Sequence, residues 1–221
     1  MNDTHRMRSR LTIVIAMTTV FVAGLLASRY FFMPDAVLHG SSRTTSVATV
    51  LVPPRALPDF RLVDQAARPL AKNDLSGRWT LVFMGFTNCG DVCPTTLYTL
   101  SAAVKKLPAP PDVLFVSVDP ERDTPEIIDA YVRGFSDSMS GATGNDEQLR
   151  AFAESLSAPY QVRKADDLYI VDHSSAVFLL DPATQLHAVF GAPHQAEAIA
   201  EDLEQIMTAR SATSAPPKQL Y

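Results

Sequence analysis

From residue 60 onward the apolar positions of this chain switch between two periods, and the switching predicts strands and helices in turn. Phe60, Leu62 and Val63 suggest a short strand, followed by a turn over residues 64–68. Trp79-Thr80-Leu81-Val82-Phe83-Met84 is almost unbroken in its apolar character, as in a strand buried on both faces. Pro94 is placed to open a helix that carries Leu97, Leu100, Ala103, Val104 and Leu107 at helical spacing. Residues 113–118 read as a second buried strand. Thr124 then offers an N-cap, with Pro125 at the first helical position and Ile127, Ile128, Tyr131 and Val132 beyond. Asn145 caps another helix through Leu149, Phe152, Ala153 and Leu156. Residues 176–180 and 187–190 read as strands joined by the Asp181-Pro182-Ala183-Thr184 turn, and a last helix runs from about His194 to Met207. This is the thioredoxin order of elements, so an α/β, thioredoxin-like fold is expected over residues 56–209.

The first 33 residues follow a different pattern. His5, Arg6, Arg8 and Arg10 precede an apolar run over residues 11–27 that holds no charge. The run is at the short end of what spans a bilayer, and Arg29, Tyr30, Phe31 and Phe32 supply a snorkelling cation and an interfacial aromatic belt. A single transmembrane helix over residues 11–33 is expected, after a cytoplasmic stretch at 1–10. The basic flank then places all that follows outside, on the periplasmic face of a bacterial inner membrane. A cleaved signal peptide is the competing reading. Cleavage after Ala27 or Ser28 would put Leu25 or Leu26 where a small residue is wanted. Residues 34–55, with Pro34, Gly40, Ser41, Ser42, Thr44, Thr45, Pro53 and Pro54, read as a linker. Residues 210–221, with Pro216 and Pro217, read as a loose tail.

Composition narrows the function more than the fold. At 47% hydrophobic and 19% charged residues the chain can bury a core, which excludes a disordered protein. A net charge of −5, without basic clusters beyond the N-terminus, excludes a nucleic-acid footprint.

The two cysteines, Cys89 and Cys93, stand between a buried strand and a helix. Cys93 is expected at or beside the N-cap, where the positive helix end favours thiolate over thiol, and Gly90 would let the loop bend so that the sulfurs converge. Three readings are open. A structural disulfide would close so short a loop that it adds little. A redox dithiol has the right place in the fold, although three residues rather than two separate the cysteines. A metal site would use two soft thiolates, which suit Cu(I) better than a four-ligand zinc site or a cluster. A third ligand should be a histidine. His5 lies before the anchor and His39 in the linker, while His187 in a strand and His194 at a helix start read as surface or capping residues. His173 stands just before a strand, in the loop that a thioredoxin-like fold sets beside its redox motif, with Asp172 as a candidate partner for its ring.

These residues resemble the Sco (SenC) copper chaperones of cytochrome c oxidase assembly. The stretch from Phe83 to Leu97, including Cys89-Gly90-Asp91-Val92-Cys93-Pro94, looks like the family's metal-binding segment. Phe115 to Pro125, with Asp119-Pro120-Glu121-Arg122-Asp123, is similar to its second signature, and Asp172-His173-Ser174-Ser175 to its third. Gly90 departs from the family, whose members commonly have Pro there. The resemblance implies one copper ion, Cu(I) or Cu(II), held by Cys89, Cys93 and His173. It implies a metallochaperone, not a turnover enzyme, whose client is the dinuclear copper centre of oxidase subunit II. A thioredoxin-like reductant would restore the dithiol, and another copper chaperone would act as donor. The alternative is a thiol–disulfide oxidoreductase in which Cys89 and Cys93 act on that subunit without metal. Asp119 and Asp123 are read as structural, forming the turn and setting up the next helix.

Overall fold

The computed structural model describes residues 16–18, 21, 41–165 and 168–214, and the backbone alone at 41–44, 165 and 211–214. The chain divides into Met1–Gly40 and Ser41–Tyr221. The expected anchor at 11–33 lies outside the described residues but for the helical 16–18 and 21, and among the described residues no helix is long and apolar enough to cross a membrane.

Nine strands form one sheet in the order β1-β2-β11-β10-β5-β6-β7-β3-β4. At its centre β5 (Thr80–Gly85), β6 (Asp112–Ser117) and β7 (Met139–Thr143) run parallel. Helix α1 (Val92–Val104) links β5 to β6, and α2 (Pro125–Arg133) links β6 to β7. Every residue of β5 is buried because both faces are covered. Alternate residues then serve opposite cores. Leu81, Phe83, Val113 and Phe115 pack with α1, α2 and the C-terminal helix α4 (Ala196–Ser214), whereas Val82, Met84, Leu114 and Val116 pack with α3 (Asp146–Ser155). The antiparallel pair β10 (Val177–Leu180) and β11 (Gln185–Phe190) extends the sheet beside β5, and β3 (Arg61–Asp64) with β4 (Pro69–Ala71) closes the other edge. The fold is thioredoxin-like, as the order of elements predicts.

The caps at Thr124 and Asn145 form as expected. The Thr124 hydroxyl accepts from the Ile127 N–H, and Asn145 and Gln148 satisfy each other's backbone N–H groups.

Three parts of the sequence reading need correction. Residues 41–55 are not a linker: β1 (Ser41–Thr44) and β2 (Ala48–Ala56) form a hairpin on the sheet. Long-range hydrogen bonds hold it, together with Val47, Ala48, Val50 and Leu51, which pack against the core. The buried Asp202 carboxylate of α4 accepts from Ser46 N (3.0 Å), Val47 N (2.8 Å) and Ala48 N (2.8 Å) and from the Thr45 and Ser46 hydroxyls. Pro53 and Pro54 sit where the β2–β11 register slips, so their missing N–H groups break no regular ladder. Second, α4 runs to Ser214, beyond the expected tail boundary at residue 210. Third, β7 and β8 (Gln161–Ala165) carry no apolar run and were not expected, and β9 (Leu168–Asp172) was not expected either, although Leu168, Tyr169, Ile170 and Val171 stand in a row.

Candidate metal centre

The two cysteines meet the histidine just past the C-terminal end of β5. Helix α1 begins at Val92, so Cys93 is its second residue rather than its cap, and Pro94 its third. Asp91, at the N-cap, makes no side-chain cap hydrogen bond. The open helix end is met instead by sulfur, since the Cys93 N–H donates to Cys89 Sγ at 3.4 Å. Cys93 is fully buried and Cys89 partly exposed, and no disulfide joins them.

His173 follows β9 and turns inward. Its Nδ1 lies 2.9 Å from the Ser174 carbonyl, which can only accept, so Nδ1 carries the proton. Nε2 is then the free lone pair, and it faces Cys93 Sγ at 3.5 Å. The edges of Phe83 and Phe86 close around the ring, with centroids at 6.2 and 5.8 Å. Burial lowers the His173 pKa below its usual value, and the imidazole is neutral at physiological pH, the form that can ligate. Cys89, Cys93 and His173 thus converge, although among the described residues no three His, Cys, Asp or Glu side chains are already arranged around one ion position.

The expected thiolate at Cys93 is not found. Burial pushes its thiol up to about 12, against the Phe86 backbone hydrogen bond that lowers it, with Cys89 and Asp123 adding to the rise. A helix end contributes about 0.3–1 kcal/mol, under one pKa unit, whereas full burial can move a group by roughly 3–5 units. The Cys93 sulfur is therefore a thiol until something displaces its proton, as a soft metal does.

Gly85 makes room for that sulfur. A Cβ there would stand 2.7 Å from Cys93 Sγ and 3.0 Å from the Phe115 ring, so only glycine lets the helix start pack against the strand end. Gly90 has no comparable demand. A Cβ would meet nothing within 4 Å and its φ is not in the left-handed region, so neither space nor backbone conformation requires glycine there.

Asp119 and Asp123 reach further than turn formation. Asp123 is fully buried and accepts from the Thr87 N–H (2.8 Å), the Thr87 hydroxyl (2.6 Å) and the Ser117 hydroxyl, which fixes the cysteine loop. Asp119, also buried, takes the Tyr169 hydroxyl at 2.6 Å and Arg122 Nε. The sequence reading missed Gly85, Thr87 and Tyr169. Only their nearness in sequence to Cys89 or His173 could have drawn attention to them.

His187 and His194 lie apart from the cysteines. His187 is buried beside Trp79 and Asp181. His194 Nε2 lies 2.7 Å from the Ser175 carbonyl, to which it donates, so it braces the loop that follows His173 rather than capping a helix. Asp172 points outward to Arg163 and leaves the Nδ1 proton of His173 to Ser174.

Residues 51–208 match the family model described as SCO1/SenC. The mitochondrial SCO2 homolog of Mus musculus is 37% identical over 158 residues, which cover 68% of this chain and 62% of that protein. The chain therefore spans under two thirds of that relative's length. Among solved structures, Arabidopsis thaliana ScoI with copper bound has a TM-score of 0.66 at 30% identity, covering 69% of this chain and 98% of its own. Bradyrhizobium japonicum ScoI with copper bound has a TM-score of 0.61 at 29% identity, covering 68% and 98%.

Proposed function

Because this chain belongs to the SCO1/SenC family, we propose that it is a copper-binding factor in cytochrome c oxidase assembly, with Cys89, Cys93 and His173 as the ligands. The observation that carries the reading is the free Nε2 of His173 facing Cys93 Sγ, with Cys89 at the mouth of the same helix start. Two sulfurs and one neutral imidazole form a soft donor set that suits Cu(I). Two solved relatives, the ScoI proteins of Arabidopsis thaliana and Bradyrhizobium japonicum, hold copper. Copper is cargo here. Cys89 is partly exposed, and His173 borders an open depression lined by Arg150, Pro159, Tyr160, Gln161 and Asp172, so an acceptor can reach the ion by ligand exchange.

The finer reading is delivery to the dinuclear centre of oxidase subunit II from a domain in the bacterial periplasm, held by the anchor at residues 11–33. Outside the cytoplasm Cys89 and Cys93 tend to oxidise together, which removes both thiolate ligands, so a thioredoxin-like reductant is required. The second reading, thiol exchange without metal, is favoured by one feature: an accessible Cys89 backed by a buried Cys93 resembles an attacking and a resolving thiol. A strain lacking the gene separates the two. Under delivery, added copper restores oxidase activity and His173→Ala behaves as the deletion. Rescue by a small thiol, with His173→Ala fully active, would overturn the proposal.

A further inference from the structure

Among the described residues the β8–β9 ribbon pairs with no other strand, yet it delivers His173. Its attachment to the body therefore rests on side chains: Val162 and Val171 pack against the core, and the polar contacts meet a single loop, residues 118–124 between β6 and α2. The Tyr169 hydroxyl donates to the buried Asp119 carboxylate at 2.6 Å, and Arg122, itself paired with Asp119, lies with its guanidinium carbon 3.7 Å from the Tyr169 ring centre. Lys164 also pairs with Glu121, but both are largely exposed and such a pair contributes little. The same loop grips the other half of the site, since Asp123 binds the backbone and hydroxyl of Thr87, two residues ahead of Cys89.

We infer that this loop sets the two ligand-bearing segments against each other, and that Tyr169 is a positioning residue for His173. His173 comes four positions after Tyr169, directly past the end of β9, so a ribbon anchored at Tyr169 presents the imidazole at a fixed height above Cys93. Arg122 completes the link. It lies over Tyr169 and also 5.7 Å from the centre of the Phe86 ring, which stands edge-on to His173. Removing the Tyr169 hydroxyl leaves the ring stacked on Arg122 but releases the ribbon from its one buried carboxylate. The loss falls on His173 and not on the cysteines. Thr87 acts on the opposite half.

The inference rests on the ligand reading above, and the test separates the two. In the metal-free, reduced full chain, the reactivity of His173 toward diethylpyrocarbonate, read by mass spectrometry, should rise about threefold or more in Tyr169→Phe as the ribbon opens. It should stay unchanged in Thr87→Val. With Cu(I) and a competing chelator, Tyr169→Phe should weaken binding ~10-fold, the scale seen for groups that orient a ligand. In a His173→Ala background the same change should have no further effect. Unchanged His173 reactivity in Tyr169→Phe, or equal weakening in both backgrounds, overturns the inference. If His173→Ala binds Cu(I) at full strength, the ligand reading falls, and the reactivity comparison still decides the role of Tyr169.

Discussion

His173, in the loop after β9, and His187, within β11, lie near opposite ends of β5 and share most of their properties. Val177 pairs with Phe83 near the C-terminal end of β5, where His173 lies, whereas Leu180 pairs with Thr80 at its start, where Asp181 and His187 lie. Both rings pack against an aromatic edge, and burial lowers the pKa of both. They differ in what faces the free nitrogen. At His173 it is a thiol with a second thiol behind it. His187 Nδ1 has no hydrogen bond and looks at the Asp181 carboxylate from 3.7 Å, while Arg210 holds the same carboxylate oxygen at 2.6 Å. A buried histidine becomes a ligand through its neighbours, and a guanidinium beside the position repels an ion that two thiols would attract. This contrast supports the proposal that His173 is a ligand and His187 a structural residue.

The largest effect that sharpens this contrast is at the structural end. Asp181→Ala should destabilise the chain by about 3 kcal/mol, because it strands Arg210 and frees the turn N–H groups of Ala183 and Gln185 that Asp181 accepts. Copper stoichiometry should not change. Urea titration with a parallel metal assay checks both, and a loss of copper would break the separation of the two ends.

A smaller effect is expected at the site, where two glycines should behave oppositely. Gly85→Ala should cost about 2 kcal/mol by overpacking against Cys93 and should weaken copper binding with it. Gly90→Ala should be neutral or stabilise by about 0.5 kcal/mol. Equal stabilities from denaturant titration of the two variants would contradict the packing at Cys93.

The smallest concerns protons. The folded pKa of His187 is lowered by burial, with Asp181 favouring the proton and Arg210 opposing it. The unfolded chain therefore takes up the proton first as pH falls. The stability share of His187 is intact above the ordinary value of about 6.5 and is lost as pH drops below it, by at most ~1.4 kcal/mol per pH unit for one proton. His187→Gln should flatten that part of the stability curve between pH 7 and 5. A curve identical to that of the unsubstituted chain would mean that His187 does not titrate on unfolding.

What the sequence disclosed was what short-range chemistry controls. Unbroken apolar runs mark β5 and β6, Thr124 and Asn145 mark helix starts, and the cysteines announce soft-ligand or redox chemistry on their own. The contacts that were hidden cross long stretches of chain: Asp123 holds Thr87 across 36 residues, Asp119 holds Tyr169 across 50, and Asp202 holds Val47 across 155. No local period encodes such pairs, so β1 and β2 read as a linker and the two aspartates of the second signature as turn formers. β7 escaped for another reason. Its residues 140–142 are small, which suits a strand packed closely beneath α2 but leaves no hydrophobic signal. The raised Cys93 thiol could not be foreseen either, because the helix start is visible in sequence and the depth of burial is not.

We propose that the metal sits among Cys89, Cys93 and His173 and nowhere near His187. Copper-edge X-ray absorption of the full chain loaded with one Cu(I) tests it directly. Two sulfur neighbours and one imidazole nitrogen are expected, with the nitrogen lost in His173→Ala and retained in His187→Ala. A spectrum without sulfur, or one that keeps its imidazole in His173→Ala, would contradict it.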